Sequence, residues 1–262
     1  MNDAGFGWFV VVNSSLTFPT RSLQRPIHSS MYLFPLVFLS LLAATSATDV
    51  APDGYPDCEA WAERGECDKN NDFMSEHCAT SCQKMQNDIA ALSNFDVSSI
   101  KSFYDLKAND IDGNEVDFNV FRHKVVLVTN VASQCGYTEE HYEQLVKTSK
   151  QFQKDKVEIV IFPCNQFGGQ EPGTAQEIKD FVRAKGGRDF RVMEKIRVNG
   201  PATHPVYQWL KQFAGKDHAE IPWNFSMYFV IHPEGEQGAV TAHPFAKPQE
   251  LHPILQQWSE EL

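Results

Sequence analysis

The chain has 262 residues, and 42% of them are hydrophobic, which is enough apolar material for a packed core and argues against wholesale disorder. That length holds one ordinary domain plus something small. The formal charge of −11 argues against nucleic acid or an anionic membrane surface as a main partner, since both attract basic patches; a small or neutral substrate fits better.

Residues 1–47 are expected to be an N-terminal extension and signal peptide. An apolar stretch from Tyr32 to Ala44 is followed by small residues suited to cleavage after Ser46 or Ala47, and Arg21, Arg25 and His28 lie upstream as a positive region. The stretch is too short to span a bilayer comfortably. Cleavage is the expectation, with a signal-anchor as the alternative and Met31 as an alternative start. This places the product in the secretory pathway, in the endoplasmic reticulum lumen or secreted.

Cys58, Cys67, Cys78 and Cys82 crowd into a short segment, whereas Cys135 and Cys164 stand apart. Crowded cysteines after a secretory signal read as a disulfide-stapled module at 50–86, because so short a segment cannot bury a core of its own. Spacing leaves all three pairings open. The rival is a zinc site with His77 as a spare ligand, but the cysteines lack paired short knuckles. A polar helical linker is expected at 87–100.

From residue 101 strands and helices alternate. Residues 124–132 (KVVLVTNVA) and 157–162 (VEIVIF) are continuous apolar runs, as buried strands should be. Between them, residues 139–153 place Tyr142, Leu145, Val146 and Phe152 at helical spacing. A Gly- and Pro-rich loop at 163–173 precedes Thr174, which can cap a helix with Glu177 three residues on. Strands follow at 227–232 and 239–243, and a closing helix at 248–261. The fold class is therefore α/β, a central mixed sheet flanked by helices.

Cys135 falls where a strand ends and a helix is about to begin. Backbone N–H groups and the helix dipole there favour thiolate, the nucleophilic form, over thiol. The plain alternative is an inert buried cysteine, but polar Ser-Gln before it and Gly-Tyr-Thr after it suit an exposed turn. Gln170, Trp223 and Asn224 can converge on that turn as donors to the sulfur and to a substrate's oxygens. Alternatively, Trp223 fills a hydrophobic edge while Gln170 and Asn224 turn the chain.

Two resemblances sharpen this reading. Cys58, Trp61, Gly65, Glu66, Cys67, Asn70, Met74, Cys78, Ser81 and Cys82 resemble the ShK toxin-like (ShKT) domain, with Ala51 and Met85 standing where the family has its first and last cysteines. That resemblance implies the pairs Cys58–Cys78 and Cys67–Cys82 and a small spacer or docking knob. The motifs NVASQCGYT at 130–138, FPCNQFGGQEPG at 162–173, KIRVNG at 195–200, HPVYQWLK at 204–211 and WNF at 223–225 resemble the glutathione peroxidase family over essentially all of 101–262. The resemblance implies a thioredoxin-like fold and a catalytic tetrad at Cys135, Gln170, Trp223 and Asn224. The thiolate then attacks a hydroperoxide, leaving a sulfenic acid that thiols reduce, with no cofactor or metal beyond the reducing co-substrate.

SFYDL at 102–106 and TEEHY at 138–142 are similar to the endoplasmic-reticulum branch, which implies Cys164 as a candidate resolving cysteine and a protein disulfide isomerase-like reductant beside glutathione. A resolving cysteine near Arg183 is absent, and Met227 stands where the family usually has lysine. The terminal Ser259-Glu260-Glu261-Leu262 is an imperfect relative of a K-D-E-L signal. A monomer is expected. The alternative is a secreted ShKT-type binding protein with a catalytically silent body. A dithiol oxidoreductase is disfavoured because Thr138 stands where a second cysteine would be.

Overall fold

The structure, a computed structural model, describes residues 50–92, 95–215, 220–236 and 239–262, so the expected signal segment lies outside the described residues. The first four helices, α1 (Cys58–Glu63), α2 (Glu66–Lys69), α3 (Asn71–His77) and α4 (Ala79–Leu92), form the small module. Its four cysteines make two disulfides, Cys58–Cys78 and Cys67–Cys82, which removes them as zinc ligands. Loops of this size closed by a disulfide contribute about 3 kcal/mol each through lost unfolded-chain entropy. Gly65, at φ 77°, makes the sharp turn between α1 and α2 in a left-handed conformation that favours glycine.

The buried cluster of the module comprises Cys58, Ala62, Cys67, Met74, Cys78 and Met85, and it also takes in Ala202 from the body of the protein. Arg197 of the body extends its guanidinium to the module, with Nε 3.6 Å from Glu63 Oε1 and Nη1 bonded to Asp88. These contacts dock the module against the body. The helical linker expected at 87–100 starts within α4, which runs to Leu92.

The body is a mixed sheet flanked by helices, the thioredoxin-like arrangement. A short hairpin of β1 (Lys107–Asn109) and β2 (Glu115–Asp117) precedes β3 (Val125–Val131), α5 (Thr138–Gln151), β4 (Val157–Pro163), α6 (Ala175–Ala184) and β5 (Arg191–Val192). Then come α7 (Pro205–Phe213), β6 (Met227–Ile231), β7 (Val240–Pro244) and α8 (His252–Glu260). The five-stranded sheet runs β5-β4-β3-β6-β7, with β3, β4 and β5 parallel and the last two strands antiparallel.

Every residue of β3 and β4 is buried, because both faces of these central strands are covered. Side chains alternate between two cores. Val126, Val128, Val160 and Phe162 meet Tyr207, Trp209 and Leu210 of α7 on one face. Val125, Leu127, Ile159 and Ile161 meet Tyr142, Leu145, Ile178 and Leu255 of α5, α6 and α8 on the other. The closing helix is split: Pro248–Leu251 is a tight 3-10 turn, and α8 starts anew with proline in its first turn. Proline has no N–H to give the preceding turn, which makes it a natural first-turn residue.

Candidate active site

Parallel strands β3 and β4 both point their carboxyl ends at one edge of the sheet, the place where ligand crevices form in open α/β sheets. Cys135 sits in the turn that leaves β3, three residues before α5 begins, and its carbonyl accepts from Thr138 N at 3.1 Å. Thr138 Oγ1 donates back to the Ala132 carbonyl at 2.7 Å and closes the turn. The Cys135 side chain carries a free thiol and is buried, 7% exposed, where the sequence suggested an exposed turn.

The loop after β4 is tied directly to this turn. Gln134 N donates to the Gln170 carbonyl at 3.0 Å, and Ser133 Oγ donates to Glu171 Oε1 at 2.7 Å. Glu171 N in turn donates to Asn165 Oδ1 at 2.9 Å, so the loop is folded on itself as well as on its neighbour.

The third segment arrives through Asn130, near the end of β3. Its Nδ2 donates to Asn224 Oδ1 at 3.0 Å, and its carbonyl accepts from Phe225 N at 2.9 Å. Phe225 holds φ at 62°, a strained value for a bulky residue that turns the chain sharply between Asn224 and β6. Ser226 Oγ and Trp223 exchange hydrogen bonds of 2.7 and 2.9 Å that brace the same turn. The Trp223 ring lies against Phe167 at 5.5 Å and remains 37% exposed.

The three segments expected to carry Cys135, Gln170, Trp223 and Asn224 are therefore brought to one end of the sheet. Among the described residues none of the three partner side chains hydrogen-bonds the Cys135 sulfur at rest. Their polar capacity is instead unused: Asn224 Nδ2 is a buried donor with no partner, and Gln170 Oε1 is a buried acceptor with none. Buried polar groups left unpaired are rare enough to require a reason, and a site that binds a polar ligand supplies one.

Cys164 is placed differently. It lies just past β4, its N–H bonded to the Val131 carbonyl at 2.9 Å, and its thiol packs in the α7-side core, whereas Cys135 belongs to the opposite one. Complete burial pushes its pKa up to about 12. Asn130, Ser133, Asn165 and Glu171 were not singled out by sequence, although all four stand inside or beside the quoted motifs. A polar Asn130 within an apolar strand was the one local signal.

Comparison with known proteins points to one family for the body and another for the module. Residues 103–211 match the family model described as Glutathione peroxidase, and residues 50–84 match that described as ShK domain-like. Glutathione peroxidase 1 of Helianthus annuus is 47% identical over 133 residues, spanning 50% of this chain and 80% of that protein. Glutathione peroxidase 1, mitochondrial, of Chlamydomonas reinhardtii is 46% identical over 140 residues, spanning 53% and 69%. The crystal structure of Trgpx in apo form is similar at 32% identity with a TM-score of 0.49, over 62% of this chain and 97% of that one.

Proposed function

Because the chain belongs to the glutathione peroxidase family, we propose that it reduces hydrogen peroxide or organic hydroperoxides through Cys135, with Gln170, Trp223 and Asn224 as its polar surround. The Cys135 thiolate attacks one peroxide oxygen, the O–O bond breaks, and the sulfur keeps a hydroxyl as sulfenic acid. The other oxygen takes a proton and leaves as water or alcohol. A thiol then condenses with the sulfenic acid, releasing water, and a second thiol displaces the first as a disulfide and restores Cys135. Donors set in place before the reaction stabilise the charge that moves onto oxygen, at no cost in reorganisation.

The observation that supports this most is the convergence of the Cys135 turn, the Gln170–Glu171 loop and the Trp223–Asn224 turn through short hydrogen bonds at the strand ends. Cys164 is protonated and enclosed on the other side of the sheet. External thiols, glutathione or a protein dithiol of the disulfide isomerase kind, thus act directly on oxidised Cys135. The apolar stretch at 32–44 and the disulfide-bonded module support a secretory-pathway location, and removal of peroxide would make the protein part of the response to oxidative stress. A monomer is proposed. No helix of the described residues is long and apolar enough to cross a membrane.

Trapping the intermediate tests the chemistry. Protein treated with one equivalent of hydrogen peroxide and a sulfenic-acid reagent is expected to carry the adduct on the Cys135 peptide. An adduct on Cys164 with Cys135 unmodified would overturn the assignment.

A further inference from the structure

We propose that Glu171 is a positioning residue for the peroxide step, its buried carboxyl holding Ser133, two residues before the nucleophile, against the loop that carries Gln170. The inference rests on the peroxidase reading and extends it to a residue outside the four that surround the sulfur. Glu171 is fully buried, a location that costs a carboxyl several kcal/mol unless hydrogen bonds or charges compensate, on the order of 2 kcal/mol or more. Its bonds all go to the site. Oε1 accepts from Ser133 Oγ at 2.7 Å, its N–H reaches Asn165 Oδ1 at 2.9 Å, and its neighbour Gln170 accepts from Gln134 N at 3.0 Å. These links join the turn that presents Cys135 to the loop that presents Gln170, so neither can shift without breaking a buried bond. Ser133, Gln134 and Glu171 also line one cavity of about 440 Å³.

Glu171 Oε2 has no partner, which marks the carboxyl as more than a structural anchor. The groups that face it are Tyr142 of α5, whose buried hydroxyl is likewise unpaired, Lys195 of the segment after β5, and Ser133 itself. Burial raises its pKa, and Ser133 and Lys195 oppose that rise.

The test measures kcat/KM for hydrogen peroxide in the parent, Glu171→Ala, Glu171→Gln and Ser133→Ala, beside the rate at which a neutral alkylating reagent modifies Cys135 at fixed pH. Glu171→Ala and Ser133→Ala break the tie between the two turns, and each is expected to lower kcat/KM by about tenfold. Each also leaves a polar group unpaired and is expected to lower the melting temperature by a few degrees. Glutamine still accepts from Ser133, so Glu171→Gln is expected to restore kcat/KM to within about threefold of the parent. Parental kcat/KM in Ser133→Ala, or a loss in Glu171→Gln as deep as in Glu171→Ala, overturns the proposal. Alkylation needs no turnover, so a rate that changes in Glu171→Ala and Ser133→Ala but not in Glu171→Gln, in a protein that consumes no peroxide, would sink the peroxidase reading and leave the role of Glu171 in holding the Cys135 turn standing.

Discussion

Two free cysteines of the same body illustrate how far single residues could be read. Cys135 was legible as a turn residue between an apolar strand run and a helix, but its expected exposure was not met: Gln134, Gly136 and Tyr137 are exposed while the Cys135 side chain is buried. Cys164 was not legible, because its surroundings depend on which face of the sheet the chain takes as it leaves β4, and that is fixed by the pairing of β4 with β3. It enters the α7-side core, where burial pushes the thiol's pKa up to about 12. Asn130, Ser133 and Glu171 escaped notice for a related reason. Their partners stand 94 and 38 residues away in the chain, at Asn224 for Asn130 and between Ser133 and Glu171, so the pairs exist only once the strands are assembled.

Among the elements, those that bury both faces or carry a cap were legible. The runs at 124–132 and 157–162 became β3 and β4, and Thr174 caps α6 as its spacing to Glu177 predicts, the Glu177 carboxylate accepting from Thr174 N at 2.8 Å. The hairpin β1–β2 and the two-residue β5 went unread, because elements so short carry no periodicity. A tight turn at Gly235 was also hidden. It holds φ at 64°, and a Cβ there would stand 2.1 Å from the ring of Tyr104. That ring is itself pinned, its hydroxyl reaching the carbonyls of Lys124 at 2.8 Å and His232 at 2.9 Å. Gly235→Ala thus meets both backbone strain and a buried clash, and it is expected to destabilise the body by more than about 2 kcal/mol in urea unfolding. A loss within experimental error would show that the turn yields freely.

At the scale of the whole molecule, the two parts were each legible from their motifs but their relation was not. The module was expected to be a spacer or docking knob, and it shares Ala202 in its core and places Glu63 and Asp88 on Arg197. Such contacts are not visible before both partners are folded, since Arg197 sits in a motif that reads as part of the body alone. Burial raises the pKa of Glu63 to about 7, with Arg197 opposing the rise. A carboxyl raised above its unfolded value contributes most when neutral. The docked fold is therefore most stable below about pH 4.5 as far as this group is concerned, and loses that contribution as pH climbs through 7. Glu63→Gln removes this slope. Between pH 5 and 8 the parent is expected to lose up to about 3 kcal/mol relative to the variant. Parallel stability curves would show that Glu63 does not titrate in the interface.

The central claim is that one sulfur, at the end of β3, carries the peroxide chemistry while the other free thiol is a core residue. Steady-state consumption of hydrogen peroxide by the parent, Cys135→Ser and Cys164→Ser, with glutathione as reductant, tests it most directly. The account predicts turnover in the parent, turnover within about threefold of it in Cys164→Ser, and none above background in Cys135→Ser. Peroxide consumption that survives in Cys135→Ser would contradict it.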